Sequence, residues 1–314
     1  MDNKPYRIVF MGTPEFAVPT LQALLANRQE VVCVVTQPDR PKGRGRQLAT
    51  PPVKVVAEQA GIPVLQPTKI RNQEFLDALK SYSPDLLVVT AYGRILPGRI
   101  LCLPPQGAIN VHASLLPKFR GAAPIQWALI NGEKETGVTI MRMDEGLDTG
   151  DILLPGKIPI AADDTAGTLA VKLARLGGEL LILALERLRN NNLPPVKQDD
   201  ALATFAPPLL KEQGRIDWQQ PAGAISCLIR GMDPWPGAYT TLAGKRYRFF
   251  SPGVVVGQAA KAPGAIHRVD SEGLLIATRQ DYLLIPELQV EGGKRMSVDV
   301  FRRGHPFSLG ETFY

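Results

Sequence analysis

Three polar side chains in this sequence have the types and spacing to act together on a carbonyl carbon. Asn110 and His112 lie two positions apart on the apolar run Ala108-Ile109-Asn110-Val111-His112. Alternation along a strand puts both on one face, with Ile109 and Val111 on the other. A fixed amide donor beside an imidazole can hold an oxyanion and move a proton at the same carbon. The third is Asp148, in Gly146-Leu147-Asp148-Thr149-Gly150-Asp151. The glycines there permit a tight loop able to return a carboxylate to the imidazole. An isolated Asn-x-His pair is more often a satisfied polar pair at a strand end. Asp-Thr-Gly by itself suggests an aspartic protease, but that reading needs two such motifs in an all-β chain. Here one motif stands among alternating strands and helices.

Those elements must position the three side chains. Residues 7–11 form a continuous apolar run ending in Gly12-Thr13-Pro14, and residues 30–36 and 85–90 read as two further buried strands. Helical patterns lie between them, through Phe16, Leu21, Leu24 and Leu25 and across 53–60 and 73–81. Apolar strands alternating with helices predict an α/β domain with a Rossmann-like, mostly parallel sheet covered on both faces. The first turn, Gly12-Thr13-Pro14-Glu15-Phe16-Ala17, lacks the Gly-x-Gly-x-x-Gly pattern, and Glu15 puts a negative charge where a pyrophosphate would sit. A Rossmann-like wrapping without nicotinamide or flavin follows. Residues 137–143 and 151–160 read as strands around the Asp148 loop, and Asp164-Thr165 caps a helix reaching about Arg189.

The composition then shifts. Proline-rich residues 190–208 read as an extended linker. Beyond it come one helix at 222–232 and five short segments at 238–242, 245–250, 264–269, 274–278 and 282–289. Short strands without crossover helices predict a smaller OB-like β-barrel domain. The expected organisation is therefore 1–189, a linker at 190–208, and 209–314.

Hydrophobic residues are 45% and charged residues 21%, which excludes a disordered chain. There is no apolar run of membrane-spanning length and no leader pattern at Met1, so a cytoplasmic protein without membrane contact is expected. Cys33, Cys102 and Cys227 are scattered without metal-ligand spacing, and no metal is expected. A formal charge of +6 makes an anionic partner plausible. Residues 37–47 carry Arg40, Lys42, Arg44 and Arg46 against Asp39 alone, on a Pro/Gly framework expected to form a mobile, solvated loop. Such a loop suits a phosphate backbone, because counterion release supplies affinity without a preset surface. Lys245, Arg246 and Arg248 cluster on one hairpin, and a basic hairpin on an OB-like barrel is a reasonable RNA platform. Charge on edge strands also discourages aggregation, so this second cluster alone decides nothing.

Asn110, His112, Ser114-Leu115-Leu116-Pro117 and Asp148, in this order and spacing, closely resemble the 10-formyltetrahydrofolate-dependent formyltransferases. The likeness extends through Gly12-Thr13-Pro14-Glu15-Phe16, Ala91-Tyr92-Gly93, Thr136-Gly137-Val138-Thr139-Ile140, Ile216-Asp217-Trp218 and Pro234-Trp235-Pro236. The basic loop, Gly121-Ala122-Ala123-Pro124-Ile125-Gln126 and the barrel narrow it to the branch acting on initiator methionyl-tRNA. The resemblance implies formyl transfer from 10-formyltetrahydrofolate to the α-amine of that tRNA's methionine, without a covalent enzyme adduct. It implies that Asn110 donates to the oxyanion, His112 stabilises it or relays a proton, and Asp148 orients His112 and helps remove the amine proton. Ser114, Leu115, Leu116 and Pro117 would border the folate, with Tyr92 and Ile95 lining the same pocket. Arg44, then Arg40 and Arg46, would meet the acceptor end of the tRNA. Lys42 would tolerate change better, and Lys245, Arg246 and Arg248 would hold tRNA backbone further away. A monomer is the default. A formyltransferase for a small amine, such as glycinamide ribonucleotide or an amino sugar, would use the same trio but leave the basic loop and the barrel unexplained.

Overall fold

The apolar strands at residues 7–12, 86–90 and 108–112 are buried along almost their whole length, and they lie in one mixed sheet. The computed structural model describes residues 5–42, 47–258 and 261–314. It divides into two compact units, one of Met1–Pro124, Thr136–Ile158 and Ala170–Ala206, the other of Ile125–Glu135, Pro159–Leu169 and Pro207–Tyr314.

In the first unit the strands are β1 (Arg7–Gly12), β2 (Glu30–Val35), β3 (Arg40–Lys42), β4 (Gln47–Ala49), β5 (Val64–Leu65), β6 (Leu86–Thr90), β7 (Ala108–His112), β8 (Arg120–Gly121), β9 (Glu135–Arg142), β10 (Ile152–Pro159) and β11 (Phe205–Ala206). Seven make a sheet in the order β10-β9-β7-β6-β1-β2-β5. β1 runs parallel to β2 and β6, and β6 parallel to β7, whereas β9 is antiparallel to β7. Every residue of β6 is buried, as a strand covered on both faces requires. The order reverses beside β1, since β2 and β6 flank it on opposite sides. In open α/β sheets the carboxyl ends of strands at such a reversal border a ligand crevice.

The helices are α1 (Val18–Ala26), α2 (Pro52–Gln59), α3 (Gln73–Ser81), α4 (Gly98–Leu101), α5 (Pro124–Ile130), α6 (Ala166–Arg189), α7 (Ala222–Met232) and α8 (Val298–Gly304). α6 starts where the sequence places its cap: the Thr165 hydroxyl accepts from the Thr168 amide at 3.2 Å, and the Thr168 hydroxyl from the Thr165 amide at 2.9 Å. Its Gly177-Gly178 pair allows close packing on the sheet and on α1. A Cβ at Gly177 would stand 2.7 Å from Val111 Cγ1, and one at Gly178 would stand 3.0 Å from the Pro19 carbonyl oxygen.

Two expectations for this first unit need revision. The arms of the basic stretch pair as an antiparallel hairpin, Arg40 opposite Ala49 and Lys42 opposite Gln47, where a free loop was expected. Gly43, Arg44, Gly45 and Arg46 lie outside the described residues. The proline-rich stretch after α6 is tied down at several points: Val196 bridges Ile152, and β11 pairs in parallel with β8.

The second unit carries β12 (Tyr239–Leu242), β13 (Lys245–Phe250), β14 (Gly253–Val255), β15 (Ile266–Val269), β16 (Leu274–Ala277), β17 (Tyr282–Ile285), β18 (Glu287–Val290) and β19 (Met296–Ser297). They form two four-stranded antiparallel sheets, β12-β13-β18-β19 and β14-β17-β16-β15. The stretch 282–289, expected as one strand, is two strands in different sheets with Pro286 between them. A residue without an N–H fits a corner where the ladder must break. Trp218, Phe249 and Phe313 pack in the core of this unit, with ring centroids 5.2 to 6.2 Å apart. The indole N–H donates to the Thr240 hydroxyl at 3.0 Å.

Candidate active site

β7 places Asn110 and His112 near its carboxyl end, and the alternation expected of them holds. Asn110 is half-buried and registered with Val89 of β6 and Met141 of β9. Among the described residues its side-chain amide has no hydrogen-bond partner, which leaves its donors open. His112 is 5% exposed, and each of its ring nitrogens faces an oxygen. Nε2 lies 3.1 Å from the carbonyl oxygen of Phe119. A carbonyl only accepts, so Nε2 is the donor in that bond. Nδ1 faces Asp148, at 3.6 Å from Oδ1. That separation exceeds a hydrogen bond and leaves Nδ1 without a short partner. The second Asp148 oxygen, Oδ2, accepts from the Gly121 amide at 2.9 Å. The glycine-bounded loop therefore does bring a carboxylate to the imidazole.

The backbone that achieves this is unusual. Phe119 has φ 61° and Asp148 φ 54°, both in the left-handed region that side chains other than glycine rarely occupy. Such residues cluster where the surroundings over-determine a geometry. Three side chains that the sequence reading missed supply part of that determination. Gln198 donates to the carbonyls of Asp148 and Gly150 at 2.8 and 2.7 Å. Arg120 donates to Gln198 Oε1 and to Asp200. The Thr204 hydroxyl accepts from the Phe119 amide at 2.9 Å.

Ser114 is fully buried and its hydroxyl is committed to the Lys118 carbonyl at 2.6 Å. Thr139 ties the same turn, donating to the Ser114 carbonyl at 2.7 Å while its oxygen accepts from the Leu116 amide at 3.1 Å. Leu116 is buried, Leu115 and Pro117 are half-buried, and the Leu116–Pro117 peptide is cis. The two remaining residues expected to line a folate pocket part company. Tyr92 packs its ring into the sheet core with Leu87 and Ile100, and burial pushes its phenol above the usual value. Its hydroxyl has no hydrogen-bond partner among the described residues, while its carbonyl accepts from Thr13 Oγ1 and Gln37 Nε2 at 3.2 and 3.1 Å. Ile95 is 68% exposed.

Arg40 is exposed and reaches Gln37 Oε1 at 3.3 Å. The same oxygen accepts from Arg94 Nε at 3.2 Å, so a further cation, absent from the sequence reading, stands with the basic stretch. Asp39 is held by Gln66 at 2.7 Å and Lys54 at 3.0 Å, and these hydrogen bonds keep its carboxyl below the usual range. Its charge is thereby paired with Lys54. In the second unit Lys245, Arg246 and Arg248 are all exposed on β13, and the Arg246 guanidinium lies 4.5 Å above the Tyr239 ring. Among the described residues no group of three His, Cys, Asp or Glu side chains is arranged to hold a metal ion. No helix there is long and apolar enough to cross a membrane.

Two family models match this chain: formyl transferase over residues 6–185, and the formyl transferase C-terminal domain over 208–306. A methionyl-tRNA formyltransferase of Desulfotalea psychrophila is 58% identical over 303 residues, 96% of this chain and 94% of that protein. Among solved structures, HypX of Aquifex aeolicus in complex with tetrahydrofolic acid aligns with a TM-score of 0.65 at 18% identity, covering 99% of this chain. The chain spans about half of HypX, 51% of its length. The sugar 3N-formyl transferase WlaRD, solved in the presence of dTDP and 5-N-formyl-THF, aligns with a TM-score of 0.66 at 19% identity over 90% of this chain and 97% of that one. At these identities the solved structures speak for the fold, while the sequence relative and the two models speak for descent. By that descent the chain belongs to the formyl transferase family, in its methionyl-tRNA formyltransferase branch.

Proposed function

We propose that this chain transfers a formyl group from 10-formyltetrahydrofolate to the α-amine of methionine on initiator tRNA, with Asn110, His112 and Asp148 as the catalytic residues. The observation that carries this reading is the His112–Asp148 pair, with Nε2 of the imidazole engaged by the Phe119 carbonyl and Nδ1 facing the carboxylate, on the strand that also presents the unpartnered Asn110 amide.

The amine lone pair forms the new N–C bond, and the carbonyl π electrons move to oxygen. Asn110 donates an N–H to that oxygen. His112, with Nε2 committed to the Phe119 carbonyl, has Nδ1 left for the same task or for relaying a proton. One well-placed oxyanion donor lowers the barrier by about 3–4 kcal/mol. Asp148 accepts the amine proton, directly or through one water. As the C=O bond re-forms, the C–N10 bond breaks and N10 takes up the proton lost by the amine. The products are formylmethionyl-tRNA and tetrahydrofolate, and no bond to the enzyme forms. The committed Ser114 hydroxyl is consistent with that absence of a nucleophile.

The turn from Ser114 to Pro117, with its leucines, borders the folate in this reading. Ile95 joins it from the surface, and Tyr92 supports the pocket from beneath through its carbonyl and ring. Arg40, Lys42, Arg44 and Arg46 meet the acceptor end of the tRNA, and Lys245, Arg246 and Arg248 meet its backbone. Residues 1–189 act as the transfer domain, 190–208 as the connection and 209–314 as the tRNA-holding domain, in a monomeric cytoplasmic enzyme that needs no metal. The deciding experiment supplies 10-formyltetrahydrofolate with methionyl-initiator tRNA, free methionine or glycinamide ribonucleotide. Formylation of the tRNA alone, abolished by His112→Ala, supports the reading. Formylation of a small amine in its place overturns the tRNA assignment and leaves the trio standing.

A further inference from the structure

We infer that Gln198 and Arg120 are positioning residues that set where the Asp148 carboxylate stands relative to His112. The inference rests on the proposed roles of His112 and Asp148. Those two roles depend on two short stretches of backbone. The Phe119 carbonyl engages His112 Nε2, and the Gly121 amide engages Asp148 Oδ2. Arg120 lies between those two residues in sequence and is 4% exposed. Its guanidinium donates to Gln198 Oε1 from Nε at 3.0 Å and from Nη2 at 2.8 Å, and Nη2 also meets Asp200 Oδ1 at 2.7 Å. The other end of the same Gln198 amide donates both N–H groups, to Asp148 O at 2.8 Å and Gly150 O at 2.7 Å. One primary amide thus joins the 119–121 stretch to the 148–150 stretch.

The chemistry of the position is specific. Two carbonyl oxygens call for two donors, and a guanidinium calls for an acceptor; only an uncharged amide offers both ends at once. A carboxylate would keep the Arg120 contact and turn an acceptor toward the two carbonyls. Asp148 also needs such a brace, because its left-handed backbone at φ 54° is held only while its surroundings enforce it. The 119–121 stretch has a separate tether, since Thr204 accepts from the Phe119 amide at 2.9 Å and offers its carbonyl to the Arg120 amide at 2.8 Å. Losing the Gln198 donors should therefore free the Asp148 loop and spare the opposite stretch.

The test uses the full chain and compares Gln198→Glu, Asp148→Asn and the double variant in formylation of methionyl-initiator tRNA, with melting temperatures alongside. Gln198→Glu is expected to lower kcat roughly 10- to 100-fold, as a misplaced catalytic group does. KM for both substrates should stay within about twofold, and the pH profile of kcat should move toward that of Asp148→Asn. In the double variant the Glu substitution should cost less than about twofold beyond Asp148→Asn, because both act through one carboxylate. Full multiplication of the two losses would overturn the inference, as would a loss in melting temperature with an unchanged pH profile. If Asp148→Asn is slow and Gln198→Glu is not, the inference alone fails; if Asp148→Asn is fully active, the proposed site fails with it. Should Gln198→Glu not fold, Arg120→Lys, which keeps a cation for Asp200 and loses the two-nitrogen grip on Gln198, is judged by the same criteria.

Discussion

The carboxyl edge of the seven-stranded sheet and the outer face of the β12–β13 hairpin both gather polar side chains, but they gather them differently. At the sheet edge, His112 and Arg120 are about 95% removed from solvent, and the backbone around them is forced into left-handed turns at Phe119 and Asp148. On the hairpin, Lys245, Arg246 and Arg248 are exposed on regular strand, and one lies over an aromatic ring. The first arrangement fixes direction, which chemistry at a single carbon requires. The second leaves charge accessible along a length, which a polyanion requires and which tolerates loose geometry. Substitutions should then collapse rate at the edge and produce graded, salt-sensitive effects on the hairpin.

The hardest test of that contrast is Asn110→Ala and His112→Ala, each expected to lower kcat about 10²–10³-fold with tRNA affinity nearly unchanged in steady-state measurements; calorimetry should show a lower melting temperature only for buried His112→Ala, which also loses the bond to the Phe119 carbonyl. Gly121→Ala comes next. Its φ is 124°, and a Cβ there would stand 2.7 Å from the Ala206 carbonyl oxygen. Displacing the amide that serves Asp148 Oδ2 should cost roughly 10- to 100-fold in kcat, by analogy with ångström-scale misplacement, and lower the melting point. Arg246→Ala and Arg248→Ala should leave kcat alone and weaken tRNA binding several-fold. Each should flatten the slope of log K against log salt by about 1 if it meets one phosphate. A hairpin variant that loses kcat with intact binding would erase the distinction. The smallest effect concerns the core beneath the edge. Burial pushes the Cys33 thiol up to about 12, so it stays un-ionised at pH 8. Mass spectrometry after maleimide treatment of the native chain should find exposed Cys102 modified and Cys33 untouched, with activity retained.

Much of this edge was legible in the sequence. Strand alternation placed Asn110 and His112 on one face, and the glycines around Asp148 announced the turn that returns its carboxylate. The cap at Thr165 was visible from local spacing. What escaped notice is long in sequence separation: Arg120 meets Gln198 across 78 residues, and no periodicity marks either side chain as a partner of the other. Proline-rich composition at 190–208 suggested an extended linker, and composition carries no information about which carbonyls such a stretch will meet. Tyr92 shows the converse limit. A motif drew attention to it, but its ring is core and its carbonyl makes the contacts. The break at Pro286 was missed because apolar residues continue on both sides of it.

The placement of residues 196–206 bears on how such chains are made and recombined. The Asp148 loop is braced by a glutamine that follows α6, so a ribosome must deliver about fifty residues past Asp148 before that brace exists. A nascent chain ending at Arg189 would carry the three polar side chains and still lack that brace. The same geometry sets where a different C-terminal half could be grafted. A junction placed after Arg189 would discard Gln198 and Thr204, whereas one placed after Ala206 would keep both, so modularity here begins at β11 and not at the end of the helix.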